Sequence, residues 1–236
     1  MQKHVDLTNA TAAEKYMNFD ALAGERRSCR AFLPDAVPDE LILNVLRTAQ
    51  RAPSWNNVQP WQVIVTRGAA TERFRDSMLA KANSVDAPRR DFAFPREYAG
   101  EYLQRRRACG FQLYGAVGIQ RGDKEAYTRQ TLRNFALFDA PHVAVITSEE
   151  ALGVYGAVDC GGYVSHFMLA AQSLGIATIA QGALAEYAGD IRDHFQIPDN
   201  RRVVCGISFG WPDNTHPANK YMTDRAQLDD VVHWED

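Results

Sequence analysis

The chain has 236 residues, a net charge of −3 at neutral pH and the ordinary hydrophobic share of 46% for a globular protein. This length is enough for one large domain with a substantial core. The weakly negative charge provides no basic surface for nucleic acid or an anionic membrane, so neither is expected as a partner.

The first third of the chain predicts a polar arm followed by a helix, a strand and a second helix. The arm is residues 1–18, and no Gly/Ser linker divides the remaining residues 19–236, which we expect to form one domain. Residues 38–52 carry one apolar stripe at helical spacing and begin with proline and two acidic residues. WQVIVT (61–66) has the composition of a strand, and residues 71–83 return to helical spacing.

The remaining elements alternate between strands and helices. Arginine and aromatic positions are mixed in residues 85–130, where we expect helices that cover a site. Strands are predicted at 141–148, 176–180 and 202–210. A long apolar helix is predicted at 154–174, and its polar interruptions exclude a membrane span. With a further helix at 186–196, this order predicts a layered sheet covered on both faces.

The segment GERRSCRAF (24–32) is a candidate anion site, because it groups Arg26, Arg27 and Arg30 around Ser28. Guanidinium groups and a hydroxyl can bind phosphate oxygens through charge-assisted hydrogen bonds. A solvated basic turn is the alternative. Taken alone, the segment favours that alternative, since runs of charge usually face water.

The segment APSWNNVQPW (52–61) lies directly between a predicted helix and a predicted strand. Pro53 and Pro60 prevent the helix from continuing, while Ser54 and Asn56 can satisfy nearby backbone groups. A wide turn therefore explains part of the segment. Its two indoles and its amide side chains suit a flat heterocycle with polar edges better than they suit water.

Three other kinds of site are not supported by the sequence. GISFG (206–210) matches G-x-S-x-G, but Pro212 and Pro217 follow it where a nucleophile elbow needs a helix, so we interpret it as a chance match. The six histidines have no metal-ligand spacing, and no metal site is expected. No GxGxxG or P-loop follows a predicted strand. We therefore expect no catalytic side chain among these motifs.

The four cysteines lie far apart, with no CxxC spacing, and the N-terminus lacks the apolar run of a signal peptide. These features predict unpaired thiols in a reducing compartment. We expect a cytoplasmic protein.

Several segments, taken in this order, resemble the FMN-dependent nitroreductase family. RRSCRAF, a helix and then APSWNNVQPWQVIV are similar to the N-terminal signature of that family. Later similar segments are NFALFDAPHVAVI, SLGIATIAQGALAEY, VVCGISFGWPD and NKYMTDRAQLDDVV. The resemblance extends from Phe19 to Trp234. It implies an α+β fold, a three-layer α/β/α sandwich with a central mixed sheet, and a homodimer with two FMN sites at its interface.

The resemblance also implies a set of FMN contacts. Arg26, Arg27 and Ser28 would lie at the phosphate and ribityl end, Arg30 nearer the flavin pyrimidine, and Arg225 would be a second phosphate cation. The partner subunit would contribute Pro53, Ser54, Trp55 and Asn57. The remaining implied contacts are Asn134, Ala180, Gln181, Gly182 and Ala183. Compared with many relatives, Ala180 replaces a proline, Thr223 replaces a basic residue, and Trp55 is bulkier than usual.

The implied activity is that of an NAD(P)H-dependent FMN oxidoreductase. In the implied ping-pong cycle, NAD(P)H delivers hydride to the flavin and a nitroaromatic or quinone-like acceptor then removes the electrons, with no protein nucleophile. Two alternatives keep the flavin. One is another reaction of the same fold, such as reductive dehalogenation or heterocycle dehydrogenation, and the other is a flavin-storing or redox-sensing binding protein.

Overall fold

The computed structural model describes residues 12–235, with side chains described from residue 17 onward. The helices are α1 (Ala12–Glu25), α2 (Asp39–Ala49), α3 (Ala69–Ala82), α4 (Gly100–Ala116), α5 (Lys124–Leu132), α6 (Gly153–Ser173) and α7 (Ala188–Phe195). The strands are β1 (Gln62–Val65), β2 (His142–Glu149), β3 (Ala177–Gln181) and β4 (Arg201–Gly210). Within residues 12–235, no helix combines the length and the hydropathy needed to cross a bilayer.

The four strands form one sheet in the order β1-β2-β4-β3. All three strand pairs are antiparallel, with Val63 opposite Ile146 at one edge and Ile179 opposite Ser208 at the other. A central mixed sheet was expected, but every pair among these four strands is antiparallel. Among the described residues, parallel pairing is limited to an isolated bridge between Ser28 and Thr178.

The sheet is covered on both faces, as the alternation of elements predicts. Successive side chains of a strand point to opposite faces. Ala144 and Ile146 of β2 accordingly pack in one core with α2 and α6, whereas Val143 and Val145 pack in a second core with α3 and α7. Because β2 is buried on both faces, its sequence is a nearly continuous apolar run.

The helices differ from the predicted ones mainly at two places. Helix α1 begins inside the predicted arm and contacts α6, and the rest of the arm, residues 1–11, lies outside the described residues. The helix predicted at 186–196 is divided into a 3₁₀ turn (Gly182–Tyr187) and α7. The exposed surface of α1 at residues 17–21 explains why its apolar stripe is weak in the sequence.

Residues 85–130 contain α4, most of α5 and an irregular segment that ion pairs attach to α7 and to the 3₁₀ turn before it. Arg89 lies 2.5 Å from Asp193, Arg90 pairs with Glu186, and Asp91 pairs with Arg192. Asp91 is also a buried acceptor for the backbone N–H of Val203, at 2.7 Å. This arrangement fixes the irregular segment against the sheet before α4 begins.

His142 gives the fold a dependence on pH. Its buried ring accepts a hydrogen bond from the Val37 N–H at 3.0 Å and donates one to the Thr66 carbonyl at 3.1 Å, which requires the neutral form. Burial lowers the pKa of His142 below its ordinary value of 6.5. Burial and the charge of Arg73 also lower the pKa of His194.

We therefore expect the free energy of unfolding to decrease as the pH falls below about 6.5, because the unfolded chain then binds protons that the folded chain does not. Each histidine contributes at most about 1.4 kcal/mol per pH unit. Urea unfolding at about pH 7.5 and about pH 5.5 measures this change. His142→Gln should reduce the difference between the two values, and an unchanged difference would contradict the assignment.

Candidate active site

The predicted arginine segment and the C-terminal tail line one cleft of about 110 Å³. Arg26, Arg27, Ser28 and Arg30 line it from the arginine segment, and Arg225 lines it from the tail. The other lining residues are Cys109 of α4 and Tyr221, Met222 and Thr223 of the tail. The structure thus brings together the four residues that the resemblance places at the phosphate and ribityl end, with Arg30, which it places nearer the flavin pyrimidine.

Hydrogen bonds hold the two ends of the chain together at this cleft. The backbone N–H of Cys29 donates to the Thr178 carbonyl at 2.9 Å, which places the arginine segment beside β3. The Arg30 N–H donates to Asn219 Oδ1 at 2.7 Å, and Asn219 Nδ2 donates to the Ala31 carbonyl at 2.8 Å. Because Asn219 is buried, this pair of bonds fixes the tail relative to the arginine segment.

The charges of this cleft suit an anion. Among the described side chains, no carboxylate oxygen lies within 4.0 Å of the guanidinium nitrogens of Arg26, Arg27, Arg30 or Arg225. Burial, and then the like charge of Arg225, lower the pKa of Arg26. Thr223 holds Arg225 in place, since its hydroxyl accepts a hydrogen bond from Arg225 Nη1 at 2.9 Å. Two neighbouring cations without an acidic partner form a site that a phosphate group would satisfy.

Arg30 and Tyr221 lie together in the same cleft. The Arg30 guanidinium lies 5.9 Å from the centre of the Tyr221 ring and donates to the Ser28 carbonyl at 3.3 Å. The Tyr221 hydroxyl is buried and has no hydrogen-bond partner within the described part of the chain. Burial raises the pKa of Tyr221. These groups fit a polar ligand that supplies the hydrogen-bond partners which the protein lacks here.

The end of β3 forms an exposed edge next to the arginine segment. Ala180 and Gly182 are exposed, and Ala183 is half-buried, whereas the side chain of Gln181 points into the protein. Gln181 Nε2 donates to the Asn134 carbonyl at 2.7 Å, so the structure also brings Asn134 to this edge. Any contact between Gln181 and a ligand must therefore be made by its backbone.

Ser208 of the GISFG segment is not arranged as a nucleophile. It is fully buried in the middle of β4, and its hydroxyl donates to Gln181 Oε1 at 2.5 Å. The strand continues to Gly210, so the turn of a nucleophile elbow is missing at this serine. Among the described residues, no group of three or more His, Cys, Asp or Glu side chains could hold a metal ion.

The turn after α2 is held in an unusual backbone conformation. Asn56, Asn57 and Gln59 have φ values of 50°, 58° and 48°, in the left-handed region that asparagine tolerates better than most residues. Ser54 Oγ accepts from the Gln59 N–H at 2.9 Å, and Gln59 Nε2 donates to the Asn57 carbonyl at 3.1 Å. Gln59 therefore helps to hold the turn in this conformation.

The predicted contacts Pro53, Ser54, Trp55 and Asn57 do not join the arginine cleft within one chain. Instead, the turn packs against the start of α6, where the Trp55 ring meets Tyr155 with the ring centres 4.6 Å apart. Of these four predicted contacts, Pro53, Trp55 and Asn57 are exposed. The structure therefore divides the predicted site residues into two sets on different surfaces of the chain.

Sequence reasoning missed three lining residues of the cleft, Cys109, Tyr221 and Met222, and the buried Asn219 that fixes the tail beside it. Three of these four lie in the tail NKYMTDR, of which the sequence singled out only Thr223 and Arg225. The position of Tyr221 between a lysine and the tail arginine is a local signal that could have indicated a site residue. Cys109 has no such signal, because only the packing of α4 against the tail brings it to the cleft.

The fold and the cleft define an α+β protein with a cationic site beside the edge of an antiparallel sheet. The model of the nitroreductase family matches residues 23–211, which is most of the chain. The chain therefore belongs to the nitroreductase family, and the expected nitroreductase-like fold is confirmed.

Relatives agree with this assignment over nearly their whole length. A 4-nitrobenzoate reductase of Nocardioides sp. is 34% identical, over 92% of this chain and 91% of that protein. The nitroreductase NfnB of Mycolicibacterium smegmatis is 35% identical, over 97% of this chain and 94% of that protein. The crystal structure of the FMN-dependent nitroreductase NfnB from Mycobacterium smegmatis in complex with NADPH has a TM-score of 0.89 and 32% identity, covering 94% of this chain and all of that one.

Proposed function

We propose that this chain is an NAD(P)H-dependent FMN oxidoreductase that reduces nitroaromatic acceptors in a ping-pong cycle. The observation that carries the proposal is the cleft in which Arg26 and Arg225 lie together without a carboxylate partner among the described side chains. Similar proteins named as nitroreductases support the activity. When bound, FMN supplies the hydride and electron chemistry, while the protein binds and orients it.

The residues of the cleft have separate roles in this proposal. Arg26 and Arg225 bind the phosphate, and the Ser28 hydroxyl adds a hydrogen bond at the same end. Arg30 lies beside Tyr221, where its positive charge would stabilise negative charge on a reduced ring system. The exposed edge at Ala180 and Gly182 leaves room for a flat ring beside β3.

The direct test is an absorbance spectrum of the purified protein, followed by anaerobic titration with NADH and NADPH. We expect a flavin spectrum that is bleached by the reductant and restored by a nitroarene. Colourless protein that binds no added FMN would overturn the proposal. Restoration by a halophenol but not by a nitroarene would favour dehalogenation. Slow reoxidation by every acceptor would favour a flavin-storing or redox-sensing protein.

We also infer that the active form is a homodimer. The cleft of about 110 Å³ is smaller than the roughly 300–1,000 Å³ of typical ligand pockets, which supports a site that is completed by a second chain. The Trp55 turn, which the resemblance assigns to the site of the partner, lies on another surface. Apolar side chains around it are exposed, as expected of a surface that is covered by another chain. They are Trp55, Val58, Val154, Tyr155 and Val158.

Val158→Glu tests the dimer, because it places a charge within this apolar surface, on α6. We expect monomers in analytical ultracentrifugation and much less FMN bound per chain, since burial of an unpaired charge is costly. Val85→Glu is the control. Val85 is a fully exposed valine of an irregular segment, and its substitution should change neither property. A dimeric, fully loaded Val158→Glu protein would contradict the proposed interface.

Two further features belong to this proposal. Helix α4 contributes Cys109 to the cleft, which supports a site-covering role for residues 85–130.

The four cysteines are free thiols, and three of them are buried. Unpaired thiols are typical of a reducing compartment, and we infer a cytoplasmic location.

A further inference from the structure

A larger cavity between α4 and the C-terminal tail continues from the arginine cleft. This cavity, the tail groove, has a volume of about 640 Å³ and shares Cys109, Thr223 and Arg225 with the cleft. Its size falls within the roughly 300–1,000 Å³ of typical ligand pockets, whereas that of the cleft alone does not. Because Arg225 lines both cavities, a phosphate group held by Arg225 would lie where they meet.

One side of α4 forms a wall of the tail groove. Arg105, Ala108, Cys109 and Gln112 all line it, since residues three, four and seven positions apart lie on the same face of a helix. The helix also contacts the short 3₁₀ turn Pro217–Asn219, which holds it beside the tail. The tail groove is therefore formed by two elements of one chain.

The charges of the tail groove are balanced, in contrast to those of the arginine cleft. Arg105 and Arg225 are offset by Asp224 and Asp230. Arg105 pairs with Glu101 one turn earlier on α4, but their side chains are 43% and 58% exposed, and such surface pairs contribute little. A second free phosphate is therefore not expected in the groove. A polar group that is joined to the phosphate in the arginine cleft fits its charges better.

We propose that the tail groove binds the adenylate half of FAD, so that the protein accepts FAD as well as FMN. The proposal rests on the proposed function, which places a flavin phosphate at Arg26 and Arg225. FAD is FMN extended by AMP at this phosphate. The added half must therefore leave the arginine cleft, and the tail groove adjoins the cleft at Arg225.

The side chains of the tail groove match the chemistry of an adenylate group. The Gln112 amide has the donor and the acceptor that glutamine uses to bind one edge of adenine in nucleic acids. The Arg105 guanidinium can bind the second phosphate. The Asp224 carboxylate has no Lys, Arg or His nitrogen within 4.0 Å among the described side chains, so it is available to accept hydrogen bonds from the ribose hydroxyls.

Calorimetric titration of the apoprotein with FMN and with FAD tests the proposal. We expect both flavins to bind, with dissociation constants that differ by no more than about 10-fold. Chromatography of the bound flavin should show that the FAD is intact. Ala108→Trp narrows the groove, because Ala108 is exposed and lines the tail groove but not the arginine cleft. This substitution should weaken FAD binding roughly 5- to 150-fold, the range typical of steric conflict, and leave FMN binding unchanged.

Two further variants separate loss of space from other effects of the substitution. Gln104→Trp places the same ring at an exposed position of α4 that does not line the tail groove, and it should change neither affinity. Arg105→Gln keeps the space but removes a cation of the groove. It should weaken the binding of FAD by roughly 10-fold or more without changing that of FMN.

Failure of this inference can be distinguished from failure of the proposed function. If the wild type binds FMN but not FAD, or if Ala108→Trp binds FAD as tightly as the wild type, the adenylate site is overturned and the proposed function stands. Equal loss of FMN and FAD affinity in Ala108→Trp would also overturn it. If this variant keeps both affinities but has a higher KM for NADPH, the groove belongs to the reductant instead. Protein that binds neither flavin would contradict both proposals.

Discussion

Replacing Arg26 or Arg225 with glutamine should weaken FMN binding roughly 10- to 150-fold for each substitution. Hydrogen bonds to charged groups contribute about 1.5–3 kcal/mol each, and both guanidinium groups lie in the cleft without a carboxylate partner among the described side chains. Fluorescence titration of the apoprotein with FMN measures the dissociation constant. Added inorganic phosphate should compete with FMN in the wild type and compete less in either variant.

Although these substitutions weaken FMN binding, they should not reduce the free energy of unfolding of the apoprotein. Burial, and then the like charge of Arg225, lower the pKa of Arg26, and the two cations repel one another when no anion is bound. We expect apo Arg225→Gln to be at least as stable as the wild type in urea, although it binds FMN less tightly. Arg73→Gln, an exposed arginine of α3, is the matched control for loss of one positive charge. Unchanged FMN affinity in both cleft variants would remove the main support for the proposed site.

The sequence was sufficient for those parts of the fold that have a strong local pattern. The apolar stripe of α2, the continuous apolar run of β2 and the long apolar helix α6 each reflect burial that is visible within one segment. Helix α1 was missed because its described side chains at residues 17–21 are exposed and leave no clear stripe. The parallel bridge between Ser28 and Thr178 was missed because it joins single residues far apart in the chain.

The site shows the same division between local and distant information. Arg26, Arg27, Ser28 and Arg30 are adjacent in sequence, and a short motif was enough to group them. Asn219, which joins that motif to the tail, acts across 189 positions and has no local signature. The Trp55 turn could be recognised from the sequence, but its packing partners could not be predicted, because they lie about 100 residues away in the chain. Its contacts with Tyr155 and Asp159 depend on how α6 crosses the sheet.

Asp91→Ala should reduce the free energy of unfolding by about 3–5 kcal/mol, the cost of breaking a buried ion pair by removing one partner. The Asp91 side chain is only 4% exposed and pairs with Arg192, which is 20% exposed. Its second oxygen accepts the Val203 N–H at 2.7 Å, so its loss also leaves a buried backbone donor of β4 without a partner. Urea unfolding of the apoprotein at one fixed protein concentration measures the effect, because cofactor and dimer formation would otherwise add to the apparent stability.

Two comparisons separate the buried pair from ordinary surface charge. Asp86→Ala removes a carboxylate that is 64% exposed and lies 3.2 Å from Lys81, and we expect it to cost at most about 1 kcal/mol. Asp91→Asn keeps an oxygen that can accept the Val203 N–H but removes the charge opposite Arg192, so its cost should lie between those of the two alanine variants. If Asp91→Ala costs no more than Asp86→Ala, residues 89–91 do not anchor the segment before α4. The position of α4 beside the cleft would then depend on its own packing against the tail.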